Sequence, residues 1–429
     1  MKKVINICLL TILCVFCTHA QKPTLKEQAI EEFKKEHYNE AVALLEKAVL
    51  QSPDDAEIYY YLGWFNHYRA YDSRPMKGYD FDYSQKIFDY FDKAISLNPD
   101  YGDAKYFYGA ECSANAFEAM QSYDVENLRY FYKKAADKGA YPAWLIEFGK
   151  NFMNTCDENA ILFVGGNLDF DICMYLQLHQ NYRTDITIIP LGYLDRPWYI
   201  KFLKDGLEGG IRKITINLTE RQIMDIHPYK WDTTTVYIPV SQALKTEFKL
   251  DPNFQFKWTI EPDLMSNTMH SKYIEGEQAR KRIYLSPQRA LLLQIVEDNF
   301  SERPFYFAYT EPTRYCGLNS CFKSCGISFR LVPVEMADAD KSLDVAKLEA
   351  LFKPENFKDF HTLKTHDMPR VSWPTVYSYN NAFVRLAKYY KQHNQTEKLD
   401  NLINFYKTHI AIGIDEDYEA AILKEATAK

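Results

Sequence analysis

Two short stretches gather the residue types that do chemistry. In the first, Gly165, Gly166, Asn167, Asp169 and Asp171 follow the apolar run Ala160–Val164. Glycines between a strand and a helix expose backbone N–H groups that hold an anion such as phosphate. The two carboxylates, two positions apart, converge on a cation only in a loop, because on a helix they point in different directions. A turn that needs glycine, with Asn167 or Asp169 capping the helix, accounts for the same letters without a ligand. In the second stretch, Asp195 and Arg196 would fix hydroxyl groups while Trp198 and Tyr199 offer a stacking face, the make-up of a sugar-binding lip. Pro197 opening a helix, followed by buried aromatics, is the plainer account of that stretch.

Other local patterns are sparse. The sequence has no G-x-S-x-G elbow, H-E-x-x-H helix, Walker loop or G-x-G-x-x-G turn. Cys316, Cys321 and Cys325 share the loop YCGLNSCFKSCG. With neither a C-x2-C pair nor a neighbouring histidine, a loop disulfide or free thiols fit better than zinc. His227, His361 and His366 lie in polar surroundings and read as solvated, so no metal or cofactor is expected. Asp232-Thr233-Thr234 resembles a short O-glycosylation acceptor signal used by some Gram-negative bacteria, a match short enough to arise often by chance.

The elements that must position the first two stretches read as a β-α-β unit. Ala160–Val164 is a strand covered on both faces, as in parallel sheets. Ile172, Tyr175, Leu176 and His179 then mark a helix, and Ile186–Leu191 a second strand. Ligands of open α/β sheets bind beyond the carboxyl ends of the strands, which puts both stretches on one rim. Further strands are expected at Ile214–Leu218, Val236–Val240, Ile283–Leu285, Pro304–Thr310 and Phe329–Val334, with a helix at Pro287–Asn299. Residues 250–282 mix Pro, Asn, Gly and charge and read as loop.

Before this unit the pattern is helical. Ala41, Leu45, Ala48 and Pro53, then Leu62 and Gly63, follow tetratricopeptide spacing; Phe91, Ala94, Pro99, Tyr108 and Gly109 give a second copy, and Tyr71–Tyr83 reads as an inserted loop. Near the C-terminus Phe383, Leu386, Ala387 and Tyr390 mark another helical hairpin turning at Asn394. The start, a basic MKK followed by apolar Val4–Cys17 and Thr18-His19-Ala20, reads as a secretory signal cleaved after Ala20, with lipidation at Cys17 as the alternative. No later window approaches the roughly 20 apolar residues of a membrane helix. The expected fold is thus α/β plus all-α: signal peptide 1–20, tetratricopeptide helices 21–155, a Rossmann-like, mostly parallel α/β sheet 156–340, and a C-terminal helical hairpin within 341–429. A short connection between the helix at Trp144 and Asn159 predicts a fixed arrangement of helices and sheet.

These residues also carry a resemblance. Asn159–Leu203, YLSPQRALLLQIVEDNFSERPFYFAYT with the later GISFRLVPV, and the hairpin near Ala382 resemble the soluble C-terminal region of large bacterial membrane proteins related to protein O-mannosyltransferases. YRTDITIIPL…WYI and RPFYFA…FRLVPV are its clearest signatures, and it covers most of Asn159 to about His409. It implies an exported α/β region with repeat helices. The family's glycosyl-transfer chemistry is expected in a multi-helix membrane portion that this sequence lacks, so no activity carries over. Its acidic turn, roughly G-D-N-D-T-[YF]-P, is matched here by Gly166, Asn167, Leu168, Asp169, Phe170, Asp171 and Ile172, so one acidic position has become Asn and the Thr and Pro are replaced.

Net charge is −7, which removes the global basic field that attracts nucleic acid. The 33 Tyr and 27 Phe suit packed helices and also a stacking surface. Two functions follow as expectations. One is an exported, periplasmic, non-catalytic binding or scaffold protein that holds a protein or glycan-bearing partner of the cell envelope, touching the membrane only if lipidated at Cys17. The other is a carbohydrate-active enzyme or glycosyltransferase accessory working at the strand ends.

Overall fold

The computed structural model describes residues 23–70, 79–166, 168–208, 210–263, 283–308, 317–336, 341–411 and 415–428. The expected signal, with Cys17 and Ala20, lies outside these residues, as do Asn167 and Cys316.

Helices come first in the chain. α1 (Leu25–Lys34) opens on a capping box in which Thr24 and Glu27 satisfy each other's backbone N–H groups. It is followed by α2 (Tyr38–Gln51), α3 (Ala56–Ala70), α4 (Ser84–Leu97), α5 (Gly102–Gln121), α6 (Val125–Asp137) and α7 (Ala143–Asn154). From α1 to α6 each helix packs on the next in the chain. The small residues at helical spacing explain the packing: Ala41, Ala48, Ala94 and Ala104 are buried at the contacts, where a larger side chain would hold the helices apart.

The sheet follows. β1 (Ile161–Val164), α8 (Leu168–Gln180), β2 (Thr187–Pro190) and α9 (Pro197–Asp205) form the expected β-α-β unit and its next helix. All four residues of β1 are fully buried, because β1 lies between parallel neighbours, β2 on one side and β7 (Phe305–Phe307) on the other. Beyond β7 the sheet turns antiparallel through β9 (Phe329–Leu331) and β8 (Phe322–Ser324), giving the order β2-β1-β7-β9-β8. The fold is therefore mixed α/β, with a mixed parallel and antiparallel sheet.

Between β2 and β7 the chain departs from expectation. Residues 214–218 form no strand: Asn299 bonds both Thr215 N and Thr215 O, and Asp298 bonds Asn217 N, so side chains of α12 (Pro287–Asn299) take the place of a strand neighbour. Residues 236–240 fall in and beside β4 (Thr234–Pro239), which leaves the main sheet and pairs with β5 (Gln255–Ile260). β5 sits in the stretch read as loop, yet Phe256, Trp258 and Ile260 alternate inward with exposed Gln255, Lys257 and Thr259, the period of a half-buried strand. Two short helices, α10 (Glu220–Met224) and α11 (Gln242–Glu247), and the two-residue strands β3 (Tyr229–Lys230) and β6 (Tyr284–Leu285) complete the region.

The C-terminal part holds α13 (Val345–Leu351), α14 (Pro369–Gln392), α15 (Thr396–His409) and α16 (Glu416–Thr427). α14 and α15 are the expected hairpin, with Phe383, Leu386, Ala387 and Tyr390 buried and Asn394 at φ +55° in the turn. α16 is added to it and packs along α14. The hairpin buries its other face inside the molecule. Asn151 of α7 donates to the Tyr379 hydroxyl at 2.8 Å, and the Arg370 guanidinium lies 4.8 Å from the ring of Trp64 in α3. One apolar core runs from α3 through the sheet to α16.

Three of the family-like letters, Arg183, Asp185 and Arg303, lie at the amino end of the parallel strands. Arg183, at φ +46°, donates to Met153 O, Cys156 O and Asp157 O and forms a two-pronged pair with Asp185. The hydrogen-bonded Arg183 guanidinium holds the Asp185 carboxyl down to about 2. Arg303, just before β7, donates to Asn159 O, Ala160 O and Thr187 Oγ1, tying the starts of three strands together. Removing its fork strands buried acceptors. Arg303→Ala is expected to cost about 2–4 kcal/mol, and Arg303→Lys to recover only part because an ammonium lacks the reach and fixed geometry of the planar fork. Urea unfolding monitored by circular dichroism checks this; an unchanged midpoint would contradict it.

Candidate functional site

At the opposite, carboxyl end of β1 the chain makes the turn that the sequence leads one to expect. Gly165 and Gly166 are partly exposed, and Gly166 at φ +131° adopts backbone open to glycine but rarely to other residues. α8 starts immediately after, which places Asp169 and Asp171 in its first turn, where the helix dipole favours negative charge. Both side chains are nonetheless buried, each 6% exposed.

Asp171 faces the helical array. Its Oδ1 accepts from Ser113 Oγ of α5 at 2.7 Å and from the Tyr132 hydroxyl of α6 at 3.2 Å. Burial pushes its carboxyl up to about 7, and the two hydroxyl bonds only partly oppose that shift. The same elements meet along their length. Phe117 of α5 stacks on Phe170 of α8 with ring centres 5.9 Å apart. At the far end of α8, Leu178 O accepts from the Arg129 guanidinium of α6, and His179 Nε2 lies 3.0 Å from Arg129 O.

The second stretch lies beside the same helices. Asp195 and Arg196 are partly exposed, and both interact with other groups. The Arg196 guanidinium lies 4.5 Å over the ring of Tyr193. That ring meets Phe117 edge-on at 4.5 Å and Tyr199 at 5.7 Å. Tyr199 is fully buried, which pushes its hydroxyl well above the usual tyrosine range, while Trp198 is half-buried and set edge-on to Tyr199. Of the expected lip, then, Arg196 covers an aromatic ring, Tyr199 is core and Trp198 retains an exposed part.

The structure thus brings Asp171, Phe170 and Tyr193 against α5 and α6, with Tyr199 against Tyr193. Sequence reasoning missed Ser113, Phe117 and Tyr132, the residues that meet them. Ser113 stands 58 positions from Asp171, and no local spacing announces such a contact. A second buried carboxylate was missed as well: Glu111, fully buried one helical face away, accepts from Tyr79, Ser84 and Asn115 and lies 2.7 Å from His67 Nδ1. Cys321 and Cys325 are buried free thiols, one of the two states the loop's letters left open, and burial pushes the Cys325 thiol up to about 12. Among the described residues, no group of three or more His, Cys, Asp or Glu is arranged to hold a metal ion.

With this geometry in place, comparison with known proteins adds one finding. Residues 145–259 match the family described as TMEM260-associated domain 2, a span running from α7 through the β-α-β unit into β5 and covering well under half of the chain. The match is consistent with the resemblance to an O-mannosyltransferase-related family. No curated protein and no solved structure matches the chain.

The Asp171 environment makes a pH-dependent prediction. An unfolded aspartate releases its proton near pH 4, whereas Asp171 in the folded chain keeps it up to about 7. Between those values the folded state binds more protons, so stability is fully present below about pH 4 and is lost as pH rises through about 7. Asp171→Asn keeps an acceptor for Ser113 and Tyr132 without the charge. It is expected to match the parent at pH 4 and to exceed it at pH 8 by on the order of 3 kcal/mol, measured by urea unfolding at both pH values. Equal stability at pH 8 would contradict the assignment.

Proposed function

We propose that the chain is an exported, non-catalytic binding or scaffold protein that holds a protein or glycan-bearing partner. The observation that carries this reading is the contact between the strand-end rim and the chain's own helices, where Asp171 is bonded to Ser113 and Tyr132. That rim is where an open α/β sheet takes a small ligand. A carbohydrate-active site there would need Asp169, Asp171, Asp195 and Arg196 in an open cleft, and two of the four are buried.

We read α1 to α6 as tetratricopeptide repeats, the sheet as a Rossmann-like core extended by two antiparallel strands, and residues 21–155, 156–340 and 341–429 as the working domains. The close approach at Gly63 supports the repeats: a Cβ there would lie 2.5 Å from the Phe91 ring of α4. The partner-binding face in this reading is the aromatic ledge of α1 and α3. Phe33 and Trp64 meet Tyr68 at 5.4 and 6.2 Å, and Tyr68 is 43% exposed. Rigid aromatic side chains of this kind give contact area at small entropy cost. Among the described residues no helix is long and apolar enough to cross a membrane. A bacterial periplasmic address, by the signal read at residues 1–20, completes the proposal.

Affinity capture of the mature chain from an envelope extract tests it. A partner is expected that Asp171→Asn retains and that Tyr68→Ala weakens by about tenfold, the loss of one aromatic anchor. Absence of any partner, together with a rise in melting temperature on adding a nucleotide-linked sugar, would overturn the proposal in favour of an enzyme at the strand ends.

A further inference from the structure

Three threonines stand in a row after Asp232, and nothing in their order distinguishes them. Their surroundings do. Thr234 Oγ1 donates to Asp232 O at 2.7 Å, and the Thr235 hydroxyl pairs with that of Thr259 across the β4–β5 hairpin at 2.9 Å. Thr233 is exposed, and its hydroxyl makes no hydrogen bond to the described residues. Asp232 and Thr234 on either side are exposed too.

The tripeptide is also held at both ends. Trp231 N donates to Ile283 O at 3.0 Å, and the Trp231 indole donates to Ile260 O at 3.1 Å. On the other side Thr234 is in register with Ile260 as the first residue of β4. Between these anchors runs a segment with no helix or strand of its own, rich in β-branched residues that favour extended backbone. An enzyme that modifies a hydroxyl needs an accessible, uncommitted nucleophile, and this segment offers one beside an exposed charge. The sequence holds one other Asp followed directly by Ser or Thr, Asp72-Ser73, which lies outside the described residues.

We infer that Thr233 is the acceptor of a covalent O-linked glycan, with Asp232 as the recognised neighbour. In the transfer, Thr233 Oγ1 forms a bond to the anomeric carbon of a glycosyl diphosphate donor. The bond from that carbon to the diphosphate oxygen breaks, its electron pair leaves with the diphosphate, and the hydroxyl proton passes to a base of the transferase. The inference rests on the exported reading above, since it requires the chain to meet the transferase that serves the envelope.

The test is mass spectrometry of the full chain purified from its source organism, with fragmentation of the tryptic peptide Trp231–Lys245. The expected result is a carbohydrate mass on that peptide, localised to Thr233, absent from Thr233→Val and Asp232→Asn and retained in Thr234→Val. These exposed substitutions leave the fold intact, which circular dichroism of each variant checks. A mass added as one oligosaccharide assigns a lipid-linked donor, and a single sugar a nucleotide-linked one; either supports the site. An unmodified peptide, or sugar placed on Thr234 or Thr235, overturns it. The N-terminus in the same spectra separates the two failures: an unmodified chain beginning at Gln21 removes the acceptor site alone, and an unmodified chain still carrying residues 1–20 removes the exported reading with it.

Discussion

Asp171 puts an acidic side chain where water is scarce, and the way the molecule accommodates it explains much of the architecture. Among the described residues its hydrogen bonds come from two hydroxyls, not from a cation. A carboxylate in that setting favours its protonated form, and the protonated form is a neutral group able to sit at a packed junction. Ser113 and Tyr132 come from different helices, so satisfying this one side chain requires α5, α6 and α8 to be in place together. The aromatic stack of Phe117 on Phe170 and the Arg129–Leu178 contact extend the junction along its length. At Asp171, part of the rim that in other α/β sheets receives a ligand is a contact between parts of one chain, while Gly165, Gly166, Asp195 and Arg196 keep exposed surface.

The two ends of the sheet are held by different chemistry. At the amino end, Arg183 and Arg303 use planar guanidinium forks to collect carbonyl oxygens from the strand starts and the end of α7. Strand starts are rich in outward-facing backbone groups, and a fork with several donors suits them better than a point charge. At the carboxyl end, packing and neutral hydroxyl bonds do the joining. Arg183 and Arg303, among the family-like letters, therefore belong to the frame, and the proposed activity is one of holding a partner.

Local pattern made part of this legible. The fully apolar Ile161–Val164 run, the glycine turn and the Pro197 helix start were readable because each is fixed by neighbours in sequence. So was the hairpin turn at Asn394, whose side chain tolerates the left-handed backbone it adopts. Ile214–Leu218 misled because β-rich letters describe an extended chain without saying what it bonds to, and Asn299 and Asp298 supply what a strand would have. β5 was hidden by the polar residues around it, although the alternation of Phe256, Trp258 and Ile260 was there to be found. The candidate site was the least legible part. The acidity of Asp169 and Asp171 could be seen, but the hydroxyls that hold Asp171 stand 58 and 39 positions away on other helices.

The central claim is that the helical array and the β-α-β unit form one cooperative body closed at the Asp171 junction. Native-state hydrogen exchange in low, rising concentrations of urea tests this most directly, because it reports the opening free energy of each helix separately. The account predicts that the slowest amides of α5, α6 and α8 share one opening free energy and converge with global unfolding. Exchange of α5 and α6 through a lower-energy opening, while α8 and β1 remain protected, would contradict it.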